Sequence, residues 1–272
     1  MDPLPPECGE DSRNGPPDPT VGTMIRICIP CRDEERTIGV LLWKIREVML
    51  EMARDFHVYV LDDASRDETR AQLEKYRLAL PLTVLAEQRP IGYGRALEKL
   101  LKTAAGGTRY PKRDAIVTMQ ADFTEHPNHL HPLVRTFEGG ADIVACEAGG
   151  RIAGHPWTVR LARRLGRIAL GRAAADSGVD PLMGFRAYRA VVVRKALRAA
   201  GGRPLITTEG WAANAELMKV LAPFARRIAH VPPELRYDIR WRSSRVRVLG
   251  TVRQILRVRK VAPLEAEGHG AA

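Results

Sequence analysis

Long hydrophobic runs are missing from this 272-residue chain. Nothing in it approaches the roughly 18 consecutive apolar residues that a membrane-crossing helix needs, which predicts a protein resting on a membrane rather than crossing it. No hydrophobic segment opens the chain either. Met1 to Thr20 is rich in proline, glycine and acids, which argues against a signal peptide and predicts a disordered tail over 1–22; residues 263–272 read the same way. Cysteine is scarce: four residues make no disulfide framework. Cys28-x-x-Cys31 has neither a second cysteine pair to complete a zinc site nor a helix N-terminus to depress a thiol pKa. Reduced, structural thiols in a cytoplasmic protein are the expectation. Acids are outnumbered, 32 against 43 lysines and arginines, leaving a net charge of +11 and an isoelectric point of about 9.9. That balance implies an acidic partner: a phosphate-bearing substrate, anionic lipid or nucleic acid.

What the chain does have is alternation. Ile25-Arg26-Ile27-Cys28-Ile29-Pro30 is a short apolar strand, and Glu34 to Arg54 then carries Ile38, Leu41, Leu42, Ile45, Val48, Met49 and Met52 at helical spacing. His57-Val58-Tyr59-Val60-Leu61 is a second strand, ending in Asp62-Asp63. Asp67 to Leu80 reads as a polar-headed helix, Leu82 to Ala86 as a third strand, and Ile91-Gly92-Tyr93-Gly94 as a turn opening a helix from Arg95 to Ala105. A fourth strand, Val117-Thr118-Met119, runs straight into Gln120-Ala121-Asp122-Phe123-Thr124-Glu125-His126 and is stopped by Pro127. Strands alternating with helices predict an α/β fold with a mostly parallel, doubly wound, Rossmann-like sheet. Right-handed crossovers bring the carboxyl ends of its strands to one edge, where ligands bind. Pro30 to Glu34, Asp62-Asp63 and Gln120 to Glu125 are therefore expected to line one cleft. Oxygen groups from one short turn suit a hard divalent cation that grips a phosphate; an ordinary strand end with a solvated turn is the alternative.

With these segments in order, the chain resembles the family 2 glycosyltransferases of GT-A fold, and within them the dolichyl- or polyprenyl-phosphate mannosyltransferase branch. The residues that carry the resemblance are Ile29-Pro30-Cys31-Arg32-Asp33-Glu34-Glu35, Leu61-Asp62-Asp63-Ala64-Ser65-Arg66-Asp67-Glu68-Thr69, Met119-Gln120-Ala121-Asp122, and Asp180-Pro181-Leu182-Met183-Gly184-Phe185-Arg186-Ala187-Tyr188-Arg189. Any one of these is weak; four in sequence, between about Met24 and Lys260, are specific. The resemblance implies a nucleotide-sugar pocket lined by Pro30, Arg32, Glu34, Leu61, Asp63, Gln120, Ala121 and Asp122. An acceptor-only carboxylate such as Asp63 suits the ring N–H donors of a base, and Glu34 suits ribose hydroxyls. Asp122, with Gln120 and Thr124, is the expected holder of Mg2+ or Mn2+ against the diphosphate leaving group.

The departures are informative. Gln120 stands where the family has the first acid of Asp-x-Asp, so metal affinity should be lower, and an aspartate restored at 120 is expected to raise it. Ala148 stands near the family's arginine after the fifth strand, with Arg151 close enough to substitute, and Arg32 replaces a tyrosine.

After Gly149-Gly150 the pattern changes, marking the end of a nucleotide-sugar half, 23–150, and the start of an acceptor-side half, 151–262, of the same domain. A helix from Pro156 sets Trp157, Leu161, Leu165 and Ile168 beside Arg160, Arg163, Arg164 and Arg167. A second basic amphipathic stretch, Arg245 to Lys260, has Val248, Val252, Ile255 and Leu256 expected to face one way. Each is either a surface helix with a solvated basic face or an anionic-membrane contact, where each basic residue contributes roughly 1 kcal/mol. Arg186 is expected to point to an anion from the turn after Asp180-Pro181, while Phe185 and Tyr188 read as core. Thr207-Thr208-Glu209-Gly210-Trp211 opens a helix through Leu221, its threonines either caps or hydroxyl binders, and Glu216 matches a family glutamate. Arg240 and Arg245 are assigned to the diphosphate or the acceptor phosphate.

The reading that follows is an inverting glycosyltransferase, peripheral on the cytoplasmic membrane face, that moves a hexose from a nucleoside diphosphate to a polyprenyl phosphate. Its reacting groups are taken as Asp122, Arg186 and Glu209. An ionised phosphate nucleophile needs no strong base, in keeping with the lack of an evident catalytic dyad; a sugar or other alcohol acceptor would need one, and Glu209 or Asp180 is the candidate. A donor-binding protein that has lost catalysis would account for Gln120 and Ala148. A nucleic-acid binder would account for the charge, but the acidic cleft motifs argue against nucleic acid as a partner.

Overall fold

The structure, a computed structural model, describes residues 22–146, 180, 182–232, 248–262 and 264. β1 (Ile25–Cys31), α1 (Ile38–Glu51), β2 (Phe56–Asp62), α2 (Thr69–Tyr76), β3 (Leu82–Ala86), α3 (Tyr93–Gly106) and β4 (Ala115–Thr118) follow one another as the alternating pattern requires. α4 (Leu130–Glu138) and β5 (Ile143–Cys146) come next; β6 (Arg186–Arg189), α5 (Ala190–Ala200), α6 (Trp211–Leu221), β7 (Ile228–Val231) and α7 (Val248–Lys260) complete the described elements. The described strands form one seven-stranded sheet in the order β3-β2-β1-β4-β6-β5-β7. β6 runs antiparallel to both β4 and β5, and every other pairing is parallel.

Every residue of β1 is buried, as befits a parallel strand covered on both faces. Alternation then sorts its side chains: Cys28 packs with α3, α5, α6 and α7 in one apolar layer, while Ile27 and Ile29 pack with α1 and α4 in the other. β6, from later in the chain, lies between β4 and β5, so the sequence before residue 146 and that after residue 180 share one sheet.

The strand order reverses at β1, with β2 and β3 laid to one side and β4 to the other. In such sheets the ligand crevice opens where the order reverses. Pro30 shows how. The Cys28 carbonyl accepts from Met119 N on the β4 side, and the Cys31 carbonyl accepts from Asp63 N on the β2 side. By alternation, residue 30 faces β4, whose pairing with β1 has already ended at Cys28 and Thr118. The missing N–H of proline thus falls where the two strands have parted, and it costs no ladder bond.

β4 ends at Thr118, one residue before the expected Met119, and Gln120 and Asp122 lie in the loop after it. Two expectations are corrected. The Gly184-Phe185-Arg186 segment is the entry to a strand that approaches the crevice with its amino end, because β6 is antiparallel. The apolar residues of α7 do not share one outward face: Ile255 and Val258 are fully buried against α6, whereas Leu256 is 52% exposed. Lys219 of α6 secures that packing, donating to the terminal carbonyls of Val258 at 2.9 Å and Arg259 at 3.1 Å, where a cation also opposes the helix dipole. Among the described residues no helix is long and apolar enough to cross a membrane.

Candidate active site

The loops after β1 and β2 are laced together into one wall. Asp33 N donates to Ser65 Oγ at 2.9 Å, Arg66 N to Asp33 Oδ1 at 2.8 Å, Glu34 N to Thr69 Oγ1 at 2.8 Å and Glu68 N to Glu35 Oε2 at 3.1 Å. Asp33 and Ala64 both hold positive φ, 49° and 55°, a conformation non-glycine residues adopt only when their surroundings enforce it. Glu35 N and the Thr69 N–H and hydroxyl bind Asp67. Desolvation alone would raise that carboxyl, but these hydrogen bonds win and hold it below the usual aspartate range. With its folded pKa depressed, Asp67 stabilises the protein above the unfolded value and loses that contribution as pH falls through the folded one. The melting-temperature gap between wild type and Asp67→Ala is expected to be full near neutrality and to close as pH falls below the usual aspartate range.

Pro30 and Leu61 lie side by side in register at the top of β1 and β2. Leu61 is fully buried, so its backbone, and not its side chain, reaches the edge. Arg32 extends from the wall with its Nε 3.9 Å from Asp33 Oδ2, and Glu34 Oε2 accepts from the Thr37 hydroxyl at 3.0 Å. Asp62 is buried and bound to Ser65 N and Arg70 Nε. Asp63 is engaged differently from expectation. It is 5% exposed, and its two oxygens accept from the backbone N–H groups of Ile91 and Gly92 at 2.6 and 3.1 Å. A carboxylate has about four acceptor positions, so two remain for a ligand.

The opposite wall is the loop after β4. Asp122 is partly exposed, and its Oδ1 accepts from Thr124 N at 3.2 Å and Thr124 Oγ1 at 2.5 Å. Thr124, itself buried, therefore steadies the Asp122 carboxylate through its N–H and its hydroxyl hydrogen. Phe123 between them is the third residue of the crevice held at positive φ, 61°. Glu125, 3% exposed, accepts from Gln120 N at 2.8 Å and from the Phe185 backbone, and lies 3.5 Å from the Gln120 amide nitrogen. Burial, with the nearby Asp122 charge, pushes its carboxyl up to about 8 against the pull of those hydrogen bonds and of Arg186.

Below the crevice is a buried polar floor. Tyr93 Oη donates to Asn214 Oδ1 at 3.0 Å, and Asn214 Nδ2 donates to the Leu182 carbonyl at 3.0 Å. Burial beside Glu125 pushes the Tyr93 hydroxyl up, keeping it protonated. The Gly184 backbone fits because it has no side chain: a Cβ there would come within 3.0 Å of the Tyr93 hydroxyl. Arg186 is fully buried, donating to the Asn214 carbonyl at 2.6 Å and the Asp180 carbonyl at 2.9 Å. Among the described residues its hydrogen bonds run to these carbonyls of the floor, and its charge acts on Glu125.

Glu209 arrives from the segment between α5 and α6. It is exposed, but it meets the first turn of α3, accepting from the Gly94 N–H at 3.1 Å and from Tyr93 N. Desolvation there, with the Asp63 charge nearby, raises its carboxyl. Asp63 and Glu209 thus divide the N–H groups at the start of α3 between them. Its approach is set by Glu98 and Glu216, two buried carboxylates. Glu98 accepts from Leu205 N and Ile206 N, each at 3.1 Å. Glu216 accepts from the N–H and hydroxyl of both Thr207 and Thr208, at 2.6 to 2.9 Å. The threonines are therefore not caps, and the helix they precede starts at Trp211 behind Gly210.

Arg151, Arg240 and Arg245, with Ala148 and the basic helix expected from Pro156, lie outside the described residues. Sequence reasoning placed Glu125 in the cleft, within Gln120 to Glu125, but gave it no role, and it missed Tyr93, Asn214 and Glu98.

This geometry, a crevice at the β1–β4 divergence with an acid-bearing loop on each wall, can now be set beside known proteins. The family description "Glycosyl transferase family 2" matches residues 26–197. The chain belongs to family 2 of the glycosyltransferases. It is 26% identical over 176 residues to the dolichol-phosphate mannosyltransferase of Pyrococcus furiosus, a match covering 62% of this chain and 47% of that protein. It is 27% identical over 176 residues to the undecaprenyl-phosphate 4-deoxy-4-formamido-L-arabinose transferase of Pseudomonas aeruginosa, covering 64% and 49%. The chain spans about half the length of these curated relatives. The GT-A fold is shared with glucosyl-3-phosphoglycerate synthase of Mycobacterium tuberculosis, solved with Mn2+, UDP-glucose and phosphoglyceric acid. That likeness has a TM-score of 0.59 at 22% identity and covers 89% of this chain and 81% of that one.

Whether this glycosyltransferase can hold a divalent cation turns on its donor set. Among the described residues no group of three His, Cys, Asp or Glu is arranged around one point. An all-protein cage is therefore not what this loop provides. Mg2+ and Mn2+ sites completed by substrate phosphates need only one or two carboxylates. Asp122, steadied by Thr124, with the amide oxygen of Gln120 fits that simpler kind.

Proposed function

We propose that this family 2 glycosyltransferase moves a hexose from a nucleoside-diphosphate sugar to a polyprenyl phosphate at a membrane surface, with inversion at the anomeric carbon. The observation that carries the proposal is the placing of Asp122 on one wall of the β1–β4 crevice, facing a nucleotide-type wall built from Pro30 to Glu34 and Asp62-Asp63. Two polyprenyl-phosphate sugar transferases among the relatives support the acceptor class.

In the proposed reaction the base and ribose lie against Glu34 and the remaining acceptor positions of Asp63, and the diphosphate lies toward Asp122 and Gln120. A bound Mg2+ or Mn2+ would neutralise charge on the departing diphosphate. An acceptor phosphate oxygen attacks the anomeric carbon in line; the bond from that carbon to the diphosphate oxygen breaks, and the nucleoside diphosphate leaves with the electron pair. Since the nucleophile is already anionic, no side chain has to remove a proton, which agrees with Glu209 being committed to the first turn of α3. Arg151, Arg240 and Arg245 remain the proposed contacts for the diphosphate and acceptor phosphate, and the basic faces of α7 and of the stretch from Pro156 the proposed contact with anionic lipid.

A second reading is favoured by the position of Glu209, an exposed carboxylate at the start of α3: transfer to a soluble hydroxyl needs a general base, and Glu209 is the proposed one. Thermal-shift measurements against UDP-, GDP- and dTDP-sugars, with and without Mn2+, test the donor half of both readings. One nucleotide sugar is expected to raise the melting temperature, and more so with Mn2+. No shift with any of them contradicts a nucleotide-sugar site.

A further inference from the structure

The loop 120–125 is closed on itself by a single side chain. Glu125 reaches back to residue 120, taking its backbone N–H at 2.8 Å and facing its amide nitrogen at 3.5 Å. The amide nitrogen turned toward Glu125 puts the Gln120 carbonyl oxygen on the other side, away from the carboxylate. Between them stand Phe123 at φ 61° and Asp122, whose carboxylate is fastened within the same loop. Glu125 is also tied to the Phe185 backbone and is 3% exposed, so it is anchored to the sheet and not to solvent. An aspartate at position 120 would lose the amide nitrogen that faces Glu125 and bring a second acid close to a buried one in a low-dielectric setting.

We propose that Gln120 and Glu125 act as one coupled unit, in which Glu125 carries the second acid of the donor site and positions both the Gln120 amide and the Asp122 carboxylate. The absence of an acid at 120 is then an exchange between two positions of one loop and not a decay of the site. This reverses the expectation drawn from sequence for position 120. An aspartate introduced there alone should weaken the site, because it faces Glu125. The inference rests on reading the crevice as a nucleotide-sugar site, and Glu125 is a positioning residue under it.

The test is a four-protein cycle: wild type, Gln120→Asp, Glu125→Gln and the double variant. Two quantities are read, the melting temperature without ligand, and Mn2+ binding in the presence of UDP or GDP, followed by the loss of the free-ion paramagnetic resonance signal. Gln120→Asp alone is expected to melt about 5 °C lower and to bind Mn2+–nucleotide about tenfold more weakly. Glu125→Gln is expected to bind it about tenfold more weakly as well. The double variant should return to within about twofold of wild type in binding and to the wild-type melting temperature, since the loop again holds one acid and one amide at these two positions. Additive losses in the double variant overturn the coupling, as does tighter Mn2+ binding by Gln120→Asp alone. A wild type that binds neither nucleotide defeats the nucleotide-sugar reading and, with it, the donor-site role of the unit, whereas the melting temperatures still decide whether the two residues are coupled.

Discussion

Asp122→Ala is expected to lower hexose transfer by about a thousandfold or more while leaving the fold in place. Removing one group aimed at charge that develops in a transition state costs roughly 10²–10³ in rate, and Asp122 is further expected to hold the cation. The structural cost is small by comparison. Asp122 is partly exposed on a loop, and its loss leaves the Thr124 N–H and hydroxyl without that acceptor, roughly 1–2 kcal/mol. Rates measured under saturating donor, beside melting curves of both proteins, separate the two effects. Asp122→Ala turning over like wild type would remove the residue from the site.

Glu216→Ala is expected to cause the largest loss of stability. The fully buried carboxylate satisfies two backbone N–H groups and two hydroxyls of Thr207 and Thr208. Thr207 is exposed and recovers water when the acid is removed, but Thr208 is 1% exposed and does not. An unsatisfied buried donor costs about 1–3 kcal/mol, so the total is roughly 3–5 kcal/mol. At this chain length that corresponds to a melting temperature lower by about 10 °C, measurable by calorimetry. Glu216→Gln keeps one acceptor oxygen but turns an amide N–H₂ on a donor, and should fall between the two. A shift under 2 °C for Glu216→Ala, on the order of a single surface change, would show that the loop does not depend on it.

The parts of the fold legible in the sequence are those where a single periodicity decides. β1 to β3 and α1 to α3 emerge because strands buried on both faces read as apolar runs, and amphipathic helices repeat their apolar residues. The crevice follows from topology, since carboxyl ends of parallel strands share an edge. β6 was hidden because Arg186-Ala187-Tyr188-Arg189 looks like a polar turn; a buried arginine becomes acceptable when carbonyls, here those of Asn214 and Asp180, accept its N–H groups. Ile255 and Leu256 are adjacent on α7, and helical spacing alone does not tell which of two neighbours turns inward. The engagement of Asp63 and Glu209 with the start of α3 joins residues 29 and 115 positions apart. No local pattern records such pairs. Glu125 was visible as an acid but not as a buried one, because its burial comes from Phe185 and the floor beneath the loop.

The most direct test of the account is product formation by the purified chain on anionic liposomes containing a long-chain polyprenyl phosphate, supplied with the nucleotide sugar selected by thermal shift and with Mn2+. A lipid-linked monophosphate hexose of inverted anomeric configuration, detected by mass spectrometry and nuclear magnetic resonance, is the predicted result. Transfer to a soluble hydroxyl or carboxylate acceptor, with none to the polyprenyl phosphate, would contradict it.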